Sequence, residues 1–214
     1  GKSTEGGEVI MLSENSIKST SKTLIDVSGI NKGGRIRSLS SMTNYSSGQL
    51  KANSKAGYGG NIDLTGKKLQ LSSQNVEAKG KLQGGKVRIG GDYLGGKELS
   101  IMDNKNHKGF KSRFGKQEHL ENASITLVDS TTKIDVSGSQ GHGGAVVIWS
   151  DKLTEFDGKI NATGKNIHLN QKFAYDSKNL PSSSIIEQKP HAANMRKAFI
   201  PKENKTISKN ISED

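Results

Sequence analysis

The chain has 214 residues, of which 30% are hydrophobic and 5% aromatic, and it contains 26 glycines, three prolines and no cysteine. Its formal net charge is +11, because 32 Lys and Arg residues oppose 21 Asp and Glu residues. This composition excludes a large globular core of Leu and Phe, and the lack of cysteine excludes disulfides and Cys-ligated zinc. Two classes remain: a disordered basic chain, and a repetitive β architecture in which each repeat buries few side chains.

A Gly-Gly pair followed by alternating apolar residues recurs along the chain. The copies are GGEVIML from Gly6, GGRIRSL from Gly33, GGNIDL from Gly59, GGKVRI from Gly84 and GGAVVIW from Gly143. The first four copies start 27, 26 and 25 residues apart, whereas the last gap is 59 residues. We therefore expect this last gap to hold one more turn of the repeat and an insertion.

Each repeat also carries a middle apolar phrase, such as LQL at 69–71 or TEF at 154–156, and a closing phrase such as IDVSG at 25–29. Three short strands in about 25 residues are typical of a parallel β-helix that rises about 4.8 Å per turn. The sequence thus predicts an all-β parallel β-helix of about six turns, and its period-two alternation predicts which side chains point inward. These are Val9, Ile36, Ile62, Leu64, Val87, Ile89, Val146 and Ile148.

Composition predicts the boundaries of the repeat region. All glycines lie at or before Gly164 and all prolines lie after it. We expect β-helix repeats over 1–170, with an insertion loop at 97–121 and a last strand at Ile167–Leu169. Residues 171–214 are predicted to be a flexible linker or disordered tail, with a short helix at Ala192–Ile200.

The insertion contains the strongest candidate for a binding site. It interleaves five basic residues with two aromatic ones and has no acid among them: Lys105, Lys108, Phe110, Lys111, Arg113, Phe114 and Lys116. Ammonium and guanidinium groups pair with sulfate or phosphate, and aromatic rings stack on sugars or bases. The pattern favours acidic polymers as ligands, and the alternative is a solvated loop whose two Phe side chains fold back onto the rod. The overall charge is equally consistent with attraction to anionic surfaces or with simple solubility.

Catalytic and metal sites are not indicated. His107, His119, His142, His168 and His191 show no metal-ligand spacing, and no cofactor motif or nucleophile motif is present. A polysaccharide-cleaving enzyme needs several carboxylates gathered at one place. Asp26, Asp63 and Asp135 lie in or beside strands, and the alternation turns Asp26 and Asp135 towards solvent. We therefore expect neither an enzyme nor a cofactor.

Two interpretations are open for Trp149, the one tryptophan of the sequence. It follows Ile148 in the alternation and so points away from the inward face. It could serve as a sugar-stacking platform, but packing at a corner of the rod is the favoured interpretation. The same two interpretations apply to Tyr93.

Two stretches together resemble filamentous haemagglutinin-like large exoproteins, the secreted partners of two-partner secretion systems. The first is GGKVRIGGDYLGG at 84–96, and the second runs from NASITLVDSTTKIDVSG at 122–138 to GGAVVIWSDKLTEFDGKINATG at 143–164. The residues that carry the likeness are Gly90, Gly91, Asp92, Tyr93, Asn122, Ala123, Trp149, Ser150, Asp151, Thr154, Phe156, Gly158 and Ile160. Residues 6–80 match as looser repeats, the tail does not match, and 97–121 is longer than the usual connection.

The resemblance implies a right-handed β-helix rod that is secreted or held at the bacterial surface as part of an adhesin. The basic loop and the overall charge favour host-cell glycans or other acidic polymers as partners, and the resemblance implies an outer-membrane two-partner secretion transporter for the full-length parent. The family's amino-terminal secretion domain is not apparent, which suggests an internal piece of a longer exoprotein. No specific nucleic acid and no transmembrane segment are expected. Two alternatives stay open: a polysaccharide-acting enzyme on the same scaffold, and a ligand-free structural remnant.

Overall fold

The computed structural model describes residues 4–96 and 118–165. Within these ranges the first eight strands are β1 (Glu8–Ser13), β2 (Ser16–Lys18), β3 (Leu24–Asp26), β4 (Arg35–Ser40), β5 (Thr43–Lys51), β6 (Asn61–Thr65), β7 (Lys68–Glu77) and β8 (Lys86–Ile89). A short 3-10 helix covers Tyr93–Gly96. The later strands are β9 (Ile125–Val128), β10 (Lys133–Asp135), β11 (Ala145–Ile148), β12 (Leu153–Phe156) and β13 (Lys159–Asn161).

The strands stack as a parallel β-helix, which confirms the predicted fold class. One sheet has the order β1-β4-β6-β8-β11, with one strand from each of five turns. A second sheet joins the remaining strands: β2 and β3 pair with β5, β5 pairs with β7, and β7 leads through β9 and β10 to β12 and β13. Every named pairing is parallel, and each strand pairs with the equivalent segment of the next turn.

The described residues form one turn fewer than the sequence predicted. Strand β8 pairs directly with β11, placing Val87 opposite Val146 and Ile89 opposite Ile148. The expectation of an additional turn within the 59-residue gap is therefore wrong, because no strand can lie between two paired neighbours. The gap holds a single turn whose first corner is lengthened by the insertion.

The predicted inward residues form two columns inside the rod. Val9, Ile36, Ile62, Val87 and Val146 make one column, and Met11, Ser38, Leu64, Ile89 and Ile148 make the other. All eight predicted residues belong to the core, although Val9, in the first described turn, is only partly buried. Each fully buried Val, Leu or Ile contributes about 1.5–3 kcal/mol, so the columns are a main source of stability.

Turns two and three have two strands rather than the expected three. Strands β5 and β7 each run through a corner that separates two strands in the other turns. Gly48 in β5 and Ser73 in β7 have φ angles of 94° and 51°, in the left-handed region. The register shifts between Ser46 and Gly48, so the bend is absorbed as a bulge and the pairing continues beyond it.

Several predictions fall outside the described residues. These are most of the predicted 97–121 insertion, at 97–117, the strand at Ile167–Leu169, the helix at Ala192–Ile200 and the tail at 171–214. Within the described ranges there is no helix with the length and apolar character needed to cross a bilayer.

Candidate functional site

All seven residues of the predicted binding loop, from Lys105 to Lys116, lie outside the described residues. The structure does describe the chain on both sides of them. Residues 90–96 lead out of the rod after β8, and we call them the exit segment. Residues 118–124 lead back into β9, and we call them the return segment. The candidate site that the structure describes is therefore the base of the insertion.

Five charged side chains project from the outer face of three neighbouring strands at this base. Strand alternation turns Ile36, Ile62 and Val87 inward, so the residues on either side of each point outward. Register places Arg37 opposite Asp63 and Asp63 opposite Arg88. We call the set the charged cluster; it consists of Arg35, Arg37, Asp63, Lys86 and Arg88, together with Asp92 of the exit segment and Glu118 of the return segment.

A bidentate ion pair lies at the centre of the cluster. Arg88 Nε lies 2.7 Å from Asp63 Oδ1, and Arg88 Nη2 lies 2.9 Å from Asp63 Oδ2. Both side chains are 0% exposed. Burial by itself would raise the pKa of Asp63, but the hydrogen bonds and positive charge of Arg88 outweigh it and hold that pKa below its usual value. The carboxylate thus stays ionised near neutral pH.

Arg88 also joins the two ends of the insertion. Its Nη1 donates to Asp92 Oδ2 at 2.9 Å and to the backbone oxygen of Glu118 at 2.9 Å. One buried guanidinium therefore holds the strand β6, the exit segment and the return segment together. Because the planar guanidinium has donors on three sides, a lysine could not make all of these contacts.

Glu118 is held by two further arginines. Arg35 forms a bidentate pair with it, with Nη1–Oε1 and Nη2–Oε2 distances of 2.8 Å, and Arg37 Nη1 lies 3.1 Å from Oε2. The hydrogen bond from Arg35 lowers the pKa of Glu118. The side chain of Glu118 is nevertheless 58% exposed, so this pair faces solvent while the Asp63–Arg88 pair does not.

The rest of the return segment is fixed by backbone contacts and one apolar side chain. Leu120 is buried outside the main core. Thr65 Oγ1 donates to the backbone oxygen of Glu121 at 2.7 Å, and the backbone nitrogen of Ala123 donates to the oxygen of Gly90 at 2.6 Å. Beside this segment lies an open cleft of about 690 Å³, lined in part by Leu12, Leu39, Thr65 and Leu120.

Trp149 packs against the exit segment, which confirms the structural interpretation. Its Nε1 donates to Asp151 Oδ1 at 3.0 Å, and Asn122 Nδ2 reaches the same oxygen at 3.1 Å and the oxygen of Gly95 at 3.1 Å. A Cβ on Gly91 would lie only 2.8 Å from Trp149 Cδ1. The ring is therefore a surface on which the glycines of the exit segment fit closely.

Gly90 begins the exit segment and must be a glycine. Its φ angle is 79°, and a Cβ there would overlap Thr126 Oγ1 and the backbone oxygen of Trp149. The sharp departure from β8 depends on this residue.

Lys86 is the buried amine of the cluster. Its side chain is among the largest fully buried ones, and its backbone lies opposite Asn61 in the sheet. Burial, and next the positive charge of Arg88, lower the pKa of Lys86 to about 8. The amine is therefore easily neutralised just above physiological pH.

The acids of the cluster do not form an acid–base pair. Asp63, Asp92 and Glu118 converge, and each is paired with a guanidinium. A general acid needs a raised pKa, whereas the pKa values of Asp63 and Glu118 are lowered. Asp26 and Asp135 point outward as predicted and accept hydrogen bonds from the backbone nitrogens of Ser28 and Ser137. Within 4–96 and 118–165 no group of three or more His, Asp or Glu residues is arranged to hold a metal. The arrangement is suited to docking one chain segment onto another.

Sequence reasoning did not identify the charged cluster, although a signal was present. Arg37, Asp63 and Arg88 are separated by 26 and 25 residues, the same spacings as the Gly-Gly repeats. Extending the repeat register to outward positions would have aligned these opposite charges on neighbouring turns.

Comparisons with known proteins give one structural similarity. No family model and no curated protein sequence matches this chain. The crystal structure of the HMW1 secretion domain from Haemophilus influenzae is similar at 23% sequence identity with a TM-score of 0.43. The match covers 63% of this chain and 34% of that one, so it spans about a third of that structure's length. The fold assignment rests on the strand pairing described above.

Proposed function

We propose that the chain is a non-catalytic, rod-like segment of a secreted or surface-exposed adhesin, which presents residues 105–116 as a contact loop for acidic glycans. The observation that supports this best is the anchoring of both insertion ends by Arg88. A loop whose two ends are fixed at one point of a rigid scaffold is a common form of binding site. The likeness to two-partner exoproteins adds an outer-membrane transporter as the export partner of the parent protein.

The distribution of charge also supports the proposal. The described residues carry 17 Lys and Arg against 14 Asp and Glu, a net charge of only +3. Residues 97–117 hold six Lys and Arg against two acids within 21 residues. The rod is thus nearly neutral, and the insertion is a local concentration of positive charge that would attract sulfate or carboxylate groups.

Retention on a heparin column over a salt gradient tests the proposal. The full chain is compared with a variant in which Lys108, Lys111 and Arg113 are changed to Ser, and retention of that variant should fall clearly. The matched control changes Lys18, Lys32 and Lys55 to Ser, which are exposed lysines of the rod. Equal losses in both variants would mean that the charge acts diffusely, and the segment would then be a spacer.

A further inference from the structure

The return segment is held in the manner of a bound peptide. Its anchor is the carboxylate of Glu118, which forms ion pairs with Arg35 and Arg37. Two main-chain oxygens, of Glu118 and Glu121, accept hydrogen bonds from Arg88 and Thr65 on the rod. One apolar side chain, Leu120, is buried between these points. Extended peptides are recognised by this combination of main-chain hydrogen bonds, which give affinity, and side-chain anchors, which give specificity.

The receiving surface is specialised for carboxylates. Arg35, Arg37 and Arg88 are the three arginines of the described residues, and all of them meet here, although lysine is much more frequent in the same residues. Arginine forms bidentate pairs with carboxylates that lysine cannot form. The Nε atoms of Arg35 and Arg37 are buried without a hydrogen-bond acceptor, so the internal segment leaves donors of this surface unused.

The surface also extends beyond the return segment. The cleft of about 690 Å³ continues from Leu120 along the outer face to Leu39 and to Leu12, which is 71% exposed. Ser13, Ser40 and Ser41 line its margin. A longer chain with a second apolar side chain could therefore bury more surface here than residues 118–122 do.

We infer that this outer face of turns one to four is a docking surface for an extended acidic peptide of a partner protein, occupied internally by residues 118–122. The partner peptide carries a Glu with a large apolar residue two positions later, as Glu118 and Leu120 do. The partner peptide begins to displace the internal segment at Glu118, whose contacts face solvent. The buried Asp63–Arg88 pair stays in place during this displacement. The internal segment competes at high effective concentration, so the partner must gain affinity from the adjoining cleft. This inference does not depend on glycan binding by the loop.

Fluorescence anisotropy with a labelled synthetic peptide tests the inference. The probe has the sequence QEHLENA of residues 117–123. The control probe carries Gln and Ala at the positions of Glu118 and Leu120. The protein is the full chain, as wild type and as the variant E118A/L120A, which removes both side-chain anchors of the internal segment and is called the vacated variant. We expect the vacated variant to bind the probe at least about tenfold more tightly than wild type, and both proteins to bind the control probe more weakly.

Four further measurements separate this inference from others. Adding R35A and R37A to the vacated variant should abolish binding, and the variant E118Q should show a smaller gain if E118A/L120A is unstable. The inference is overturned if the vacated variant is folded but does not bind the probe, or if it binds both probes equally. So does competition by heparin oligosaccharides that exceeds competition by unlabelled peptide. The loop variant K108S/K111S/R113S should bind the probe like wild type, so failure of the glycan proposal would be seen separately.

Discussion

The substitution Asp63→Ala probes the centre of the charged cluster. It removes the carboxylate that accepts two hydrogen bonds from Arg88 and leaves that guanidinium fully buried. Arg88 keeps Asp92 and the backbone oxygen of Glu118, so its charge is not left wholly unpaired. Breaking a buried pair costs about 3–5 kcal/mol, and we expect the lower end of that range, about 3 kcal/mol.

Urea unfolding of the full chain followed by circular dichroism measures this loss. The midpoint should fall while the slope stays near the wild-type value, because the surface exposed on unfolding is nearly unchanged. Asp26→Ala is the matched control: that carboxylate is exposed and accepts a hydrogen bond from the Ser28 nitrogen, so about 1 kcal/mol or less should be lost. A loss of less than about 1 kcal/mol for Asp63→Ala would refute the reasoning.

A double variant distinguishes stability from anchoring. D63L/R88M replaces the ion pair by apolar groups of similar size and should recover most of the stability. It cannot recover the contacts to Asp92 and the Glu118 oxygen. Limited proteolysis should therefore cut residues 97–117 faster in the double variant than in wild type. Equal cleavage rates would show that Arg88 does not anchor the insertion.

Three other predictions follow from the described residues. Ile62→Asp places an unpaired charge in the core and should cost more than about 3 kcal/mol in urea unfolding, whereas Ile10→Asp, at a position 48% exposed, should change stability little. Burial lowers the pKa of Lys86 from its ordinary value of 10.5 to about 8 in the folded chain. The unfolded chain therefore binds more protons than the folded chain between pH 8 and pH 10.5. The free energy of unfolding should rise across that window by up to roughly 3 kcal/mol relative to the variant Lys86→Met. Parallel pH profiles of the two proteins would contradict this. Gly90→Ala should lower the melting temperature clearly, while Gly7→Ala, where a Cβ meets nothing within 4 Å, should not; equal melting temperatures would show that the corner tolerates a side chain.

The sequence predicted the architecture because the repeat and the alternation are both local patterns. Gly-Gly pairs about 26 residues apart and apolar residues spaced by two were sufficient to assign the columns that contain Ile36, Ile62 and Val87. The number of turns was predicted less well. The length of the gap between Gly84 and Gly143 does not distinguish another turn from an insertion, and only the pairing of β8 with β11 does so.

The candidate site was less predictable because it depends on chain segments that are distant in sequence. Alternation alone turns Asp63 and Arg88 outward, where charged residues are ordinarily solvated. They are buried because the structure brings the return segment against them, with Glu118 at Arg35 and its backbone oxygen at Arg88. No local pattern around Glu118 predicts this contact, because Glu118 and Arg35 are 83 residues apart in the sequence.

The uneven spacing of the turns has a consequence for the order of folding. Turns one to three each close a loop of about 26 residues, whereas the step from β8 to β11 must close one of 59 residues. The longer closure costs about 0.7 kcal/mol more free energy through lost chain entropy, and it gains little until the return segment has docked. We therefore expect the first three turns to form before the last two. A chain that emerges amino terminus first would present its turns in this same order.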